Sequence, residues 1–215
     1  MKVSPDHGDC GRRLNSFLAA SPGRPARHPL RAALIAVALL ASGCSSRQEK
    51  ATELANTAAA LLDAGRFDEA RAAILKANAQ MDDVPAQYQL QARIELALRH
   101  HSDAFQAYSR VLELDPANQE ALQFLAEYYL QLGMATEAGQ TADRSLVLDP
   151  RSTRSLLVKG LISLQRRRTE EALGIADQIL RINGNDEGGL ILKARTLAIG
   201  GDHAAARALL AAQSP

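Results

Sequence analysis

One interval constrains this chain more than anything else in it: small and large apolar residues return every 34 residues. Ala70, Ala104, Ala138, Ala172 and Ala206 fall on that interval, as do Ala58, Ala92, Ala126, Gly160 and Ala194. Leu62, Leu96, Leu130 and Leu164 form a third column, continued by Ala198. Within the period Pro85 to Asn118, apolar residues recur at three and four, which predicts two helices joined by a polar turn. Leu114-Asp115-Pro116 closes that period, and Leu148-Asp149-Pro150 repeats it one interval later. A fixed period of this size marks stacked supersecondary units.

The frame runs without insertion from Ala51 as 51–84, 85–118, 119–152, 153–186 and 187–215. Segments such as Gly65-Arg66-Phe67-Asp68-Glu69-Ala70 place acids early in a helix, where they counter the positive end of its dipole. Each helix has one apolar stripe, and neither helix of a pair can cover it alone. Stacking against neighbours buries the stripes, so stability becomes a sum over adjacent interfaces. A generic helical bundle has the same composition but gives no reason for five small residues spaced by 34.

These columns resemble the tetratricopeptide repeat, a helix-turn-helix unit of 34 residues. The resemblance implies an all-α fold, a right-handed α-solenoid of about five units. It places the small columns where the two helices of a unit approach closely. Its turn glycine stands at Gly65, Gly133 and Gly201, with Arg99 and Arg167 replacing it in the second and fourth units. Its closing proline is present as Pro116 and Pro150, whereas Asp82 and Gly184 stand there in the first and fourth.

Members of this family bind protein or peptide partners along a concave face lined by the first helix of each unit. Carried over position by position, that groove comprises Gln89 and Arg93, then Gln123, Phe124 and Glu127, then Arg154, Leu157, Leu161 and Leu164, then Ile191 and Arg195. Such a surface suits an extended or helical peptide with aliphatic anchors. Curvature of the array could equally cover Leu157, Leu161 and Leu164. The Lys and Asn with which chaperone-binding members hold a C-terminal carboxylate are replaced by Ala55 and Ala59.

Ahead of the repeats, Arg31 precedes the apolar run Ala32–Ala41, followed by Ser42-Gly43-Cys44. A basic region, a short apolar run and small residues have the layout of an export signal, and the run is half the ~20 residues a spanning helix needs. Ala41-Ser42-Gly43-Cys44 resembles the bacterial lipobox, with Ala41 where the family usually has Leu. The resemblance implies removal of residues 1–43, lipidation of Cys44 and a short linker over 44–50. Ser45, rather than Asp, implies the periplasmic face of a Gram-negative outer membrane. A start codon placed too far upstream would account for the long polar head before the apolar run. Removing residues 1–43 takes six Lys/Arg and two Asp/Glu from a chain of net charge +1, leaving 19 basic against 22 acidic residues. That balance argues against nucleic acid as a partner. Cys10 lies in the removed part, so the remaining chain forms no internal disulfide.

Motifs that carry chemistry are scarce. The sequence has no phosphate loop, nucleophile elbow or His-Glu-x-x-His pair. His100-His101 falls in a turn and reads as solvated, and Arg166-Arg167-Arg168 reads as a solvated turn as well. The expectation is therefore a scaffold, not an enzyme, with no cofactor and no metal. Similar small lipoproteins of the family serve pilus, secretion and export assembly. Two other readings remain at this stage: a homo-oligomer that stacks through the last helix, about Ala204 to Ala212, which no polar capping helix follows, or the regulatory subunit of an envelope enzyme.

Overall fold

The structure, a computed structural model, describes the backbone of residues 29–211 and the side chains of residues 46–211. The export signal expected over residues 1–43 and the lipid attachment at Cys44 concern side chains outside that range. Ten helices stand among the described residues: α1 (Pro29–Asp63), α2 (Phe67–Gln80), α3 (Pro85–Ala97), α4 (His101–Leu114), α5 (Gln119–Gln131), α6 (Ala135–Leu148), α7 (Thr153–Gln165), α8 (Thr169–Ile182), α9 (Glu187–Ile199) and α10 (His203–Ala211). From α3 onward each odd-numbered helix starts 34 residues after the last, and the even-numbered helices do the same from Phe67. The array of helical hairpins expected from the sequence is the fold.

One boundary differs. Residues 44–50, expected as a linker, are helical and continuous with the rest of α1. Ala51 marks the start of the 34-residue frame but not of a helix, because nothing between Ser45 and Lys50 breaks one. Among the described residues no helix is long and apolar enough to cross a membrane.

The turn inside each hairpin has one geometry. Gly65, Arg99, Gly133, Arg167 and Gly201 all adopt a left-handed backbone, with φ between 60° and 94°. The amide that follows each bonds back to a carbonyl five residues earlier, as in His100 N to Glu95 O at 2.8 Å and Arg168 N to Ser163 O at 2.9 Å. This reversal satisfies carbonyls that the helix end leaves without partners. Glycine adopts it freely, whereas Arg99 and Arg167 adopt it against the clash of Cβ with the carbonyl.

Between hairpins a second motif recurs. Asp115, Asp149 and Asn183 each accept the amide two residues on, and Asn118, Ser152 and Asp186 each cap the next helix through a side-chain oxygen. Each cap satisfies one orphan amide of the helix start. Val84, at the equivalent place before α3, offers no side-chain cap and is followed by Pro85 at the first helical position, where a missing amide costs nothing.

The chain divides into two compact units, residues 1–104 and 105–215. In the first, α1, α2 and α3 pack around Ala58, Ala70, Ala73, Ile74, Ala77 and Ile94. In the second, α5 to α10 pack in sequence around Ala126, Ala138, Ala142, Val158 and Ile162, then Leu156, Leu164, Ala172, Ala176, Ile179 and Leu192. Every residue of the two small columns is buried. Gly160 is the glycine of its column because a Cβ there would stand 2.3 Å from Leu192 Cδ2. Lys159 pairs with Asp143, and one period later Lys193 pairs with Asp177, tying α7 to α6 and α9 to α8.

Candidate functional site

The first helices of successive hairpins, α5, α7 and α9, touch in order within the second unit. Three columns face outward along them: Glu120, Arg154 and Gly188; Gln123, Leu157 and Ile191; Glu127, Leu161 and Arg195. None of these residues is fully buried, whereas the next column, Ala121, Ser155 and Gly189, is buried throughout.

Arg154 is the centre of this face. Its Nε and Nη2 donate to the two carboxylate oxygens of Glu127, each at 2.7 Å, and its Nη1 donates to Gln123 Oε1 at 3.2 Å. The fork-to-fork geometry joins α7 to α5 with fixed orientation. The hydrogen bonds from Glu127 hold the Arg154 guanidinium above its ordinary value, opposed by partial burial and aided by the negative potential of Glu127 and, further off, Tyr108 and Glu120.

Behind the pair lies a buried polar chain. Gln123 Nε2 donates to Ser152 Oγ at 3.0 Å, and Ser152 Oγ donates to Ser155 Oγ at 3.0 Å. Ser155 and Ser145 share a hydrogen bond of 2.6 Å, and Gln119 Nε2 donates to Ser145 Oγ at 2.9 Å. Ser145 occupies a column that holds buried Val111 and Ile179 in its neighbours, so the network replaces aliphatic packing at one level only. It connects α5, α6 and α7 and fixes the rotamer of Gln123 beneath Arg154.

Aromatic residues gather beside this centre. Five of the eight Phe and Tyr residues of the chain lie between Phe105 and Tyr129. Phe124 stacks on Tyr128 with centroids 5.8 Å apart and packs on Tyr108 at 4.7 Å, while Tyr108 donates to Glu120 Oε1 at 2.6 Å. Phe124 shares its column with Val158 and Leu192, both buried, and is itself half-buried.

The sequence-derived groove residues thus divide by environment. Arg154 and Glu127 are brought together; Ile191 and Arg195 are exposed on α9. Leu157 and Leu161 are half-buried against the core, and a Cβ at Gly188 would stand 2.6 Å from Leu157 Cδ2, so the start of α9 covers that side chain. Leu164 is buried in the same core. Arg93 lies exposed on α3 of the first unit. Comparing columns would have singled out Ser145, because a hydroxyl there interrupts a run of aliphatic side chains.

Paired helices in a 34-residue register, with an outward row of first-helix side chains, define a helical-hairpin repeat protein whose working parts are surfaces. Residues 95–159 match the family model of the tetratricopeptide repeat. Over those residues the chain carries the tetratricopeptide repeat, and the described helices have the fold of tetratricopeptide solenoids. Solved structures agree in fold. A MamA fragment from Desulfovibrio magneticus RS-1 aligns with a TM-score of 0.68 at 15% identity, over 76% of this chain and 92% of its own. The pilF protein of Pseudomonas aeruginosa aligns with a TM-score of 0.62 at 20% identity, over 79% of each chain. YrrB, described as a tetratricopeptide protein with an unusual peptide-binding site, gives 0.65 at 16% identity over 79% of this chain and 88% of its own. No curated protein matches the sequence. The tetratricopeptide fold supports protein-interaction scaffolds in general, and proteins built from it are typically non-enzymatic.

Proposed function

We propose that the chain is a docking scaffold held by a lipid on Cys44 at the periplasmic face of the outer membrane. There its α5–α7–α9 face receives a peptide segment of an assembling envelope machine, such as a pilus or secretion apparatus. The observation that carries the docking part is the fixed Arg154–Glu127 pair with exposed Ile191 and Arg195 beside it. Interfaces concentrate their energy in a few such arginine and apolar anchors. A ready-made pair costs little ordering entropy on binding.

Support for the tether comes from the apolar run that ends in Ser42-Gly43-Cys44. Because α1 is continuous through residues 44–50, a lipid at Cys44 would lie only ~10 Å along the helix axis from Ala51. The repeats would then stand close to the headgroups.

Two readings test the proposal. Cys44→Ser should leave the membrane fraction or stay unprocessed; palmitate label absent from the wild-type protein would remove the tether. A photo-crosslinking residue at Ile191 should trap a partner, and Arg195→Glu should abolish the crosslink while the circular dichroism spectrum stays unchanged. The same crosslinker at Val147, 82% exposed on α6, should trap nothing. Equal crosslinking from both positions would remove the docking face.

The second reading, self-association through the last hairpin, is favoured by Leu210. Its column holds Ile74, Tyr108, Ala142 and Ala176, all buried, yet Leu210 is 49% exposed. A concentration-dependent mass in light scattering, lost in Leu210→Lys, would support it over the docking of a foreign peptide.

A further inference from the structure

A carboxylate stands in the core of the first unit. Glu95 is fully buried on α3, in a column filled elsewhere by Leu61, Tyr129, Ser163 and Leu197. A buried charge is costly unless it is paired and hydrogen-bonded. Glu95 Oε1 accepts from Arg71 Nε at 2.8 Å, and its Oε2 faces His100 Nδ1 at 3.1 Å. Asp103, in the first turn of α4, lies 3.6 Å from Arg71 Nη2. One ligand atom each from Glu95, His100 and Asp103 falls within 4.8 Å of the others.

We propose that Glu95, His100 and Asp103 bind a first-row divalent cation of the zinc type, with Arg71 as the residue that positions Glu95. The donor set, one imidazole and two carboxylates, is one that zinc accepts. All three ligands come from nine consecutive residues across a single turn. That turn is held rigidly by the left-handed Arg99 and by the bond from His100 N to Glu95 O, so His100 stands above Glu95 before any ion arrives.

A tetrahedral ion at ~2.1 Å from each ligand separates ligand atoms by ~3.4 Å. Closing from the observed spacing therefore takes about 1 Å of side-chain movement. His100 and Asp103, 47% and 41% exposed, can supply it, while Glu95 stays fixed. Their exposure also lets water complete the coordination shell. The ion takes the place of the proton between His100 Nδ1 and Glu95 Oε2, and it displaces only the loose Arg71–Asp103 contact. Arg71 remains on Glu95 Oε1, as an outer hydrogen-bonding partner of a ligating carboxylate commonly does. With neutral His100, the two carboxylates and Arg71 carry one net negative charge, which favours a cation.

The test is zinc chloride titrated calorimetrically into the full chain carrying Cys10→Ser and Cys44→Ser, so that neither thiol competes. One ion per chain is expected, with a matching rise in melting temperature. His100→Gln and Asp103→Asn should each raise the dissociation constant at least ~10-fold, and His101→Gln should leave it unchanged. Arg71→Lys, which keeps the charge but loses the guanidinium fork, should weaken binding less than loss of a ligand. His100 is half-exposed and the Gln side chain keeps a hydrogen-bond donor for Glu95 Oε2, so His100→Gln should keep the fold, which the circular dichroism spectrum checks. No bound ion, or an ion held equally by His100→Gln, would overturn the site and leave Glu95 as the buried end of an ion pair.

Discussion

The two units each bury polar side chains, but they satisfy them differently. The first unit buries a charge, Glu95, and meets it with Arg71 and His100 at the edge of solvent. The second buries neutral hydroxyls, Ser145, Ser152 and Ser155, and meets them with Gln119 and Gln123. The difference teaches where each unit can tolerate change. A charged centre fails when one partner is removed, because the other is left desolvated. A neutral network loses a hydrogen bond at a time.

Removal of one partner from the charged centre should have the largest effect. Arg71→Leu leaves Glu95 with His100 alone and should cost about 3 kcal/mol, a fall of roughly 6–12 °C in melting temperature for a chain of this size. Replacing both, Arg71→Leu with Glu95→Leu, should restore stability to within about 1 kcal/mol of the wild type. Leucine already stands in those columns at Leu173 and at Leu61 and Leu197. A double variant as unstable as the single one would mean the ion pair contributes more than it costs to bury.

The neutral centre should respond more weakly. Ser155→Ala removes the middle of the chain, but Ala121 and Gly189 fill that column elsewhere and no cavity of consequence opens. The expected loss is about 1 kcal/mol in urea denaturation, with an unchanged slope. A loss matching that of Arg71→Leu would erase the distinction between the two units.

The smallest effect has the opposite sign. Arg167→Gly relieves the left-handed strain at one hairpin turn, offset by the greater freedom of glycine in the unfolded chain, and should stabilise by about 0.5–1 kcal/mol. Gly133→Ala, in the same turn of the third hairpin, should destabilise by a similar amount. Both are read from denaturation midpoints.

Most of the fold could be read from the columns. The frame starting at Pro85 predicts where α3, α5, α7 and α9 begin, and the turn positions Arg99 and Arg167 carry the backbone that the glycines at Gly65, Gly133 and Gly201 imply. Residue types repeat there because each position has one backbone task. The caps at Asn118, Ser152 and Asp186 are equally legible, three oxygen-bearing side chains 34 apart.

The site was harder to read, because its content lies in pairs across helices. Arg154 and Glu127 are 27 residues apart, and neither is unusual alone. Leu157 and Leu161 look like groove anchors until the start of α9 is seen to cover one of them. Spacing places a side chain on a helix, but its depth depends on how the neighbouring helix is packed. Exposed Ile191 and Arg195 are accordingly better probes of docking than the leucines.

Melting of two alanine-to-leucine variants tests the 34-residue register most directly. Ala138 is fully buried between α5 and α6, while Ala86 is exposed at the start of α3. Ala138→Leu should overpack its interface by about 1–3 kcal/mol and lower the melting temperature by roughly 3–10 °C, with Ala86→Leu unchanged within about 1 °C. Equal melting temperatures for the two variants would contradict the register, and with it the assignment of every inward and outward column.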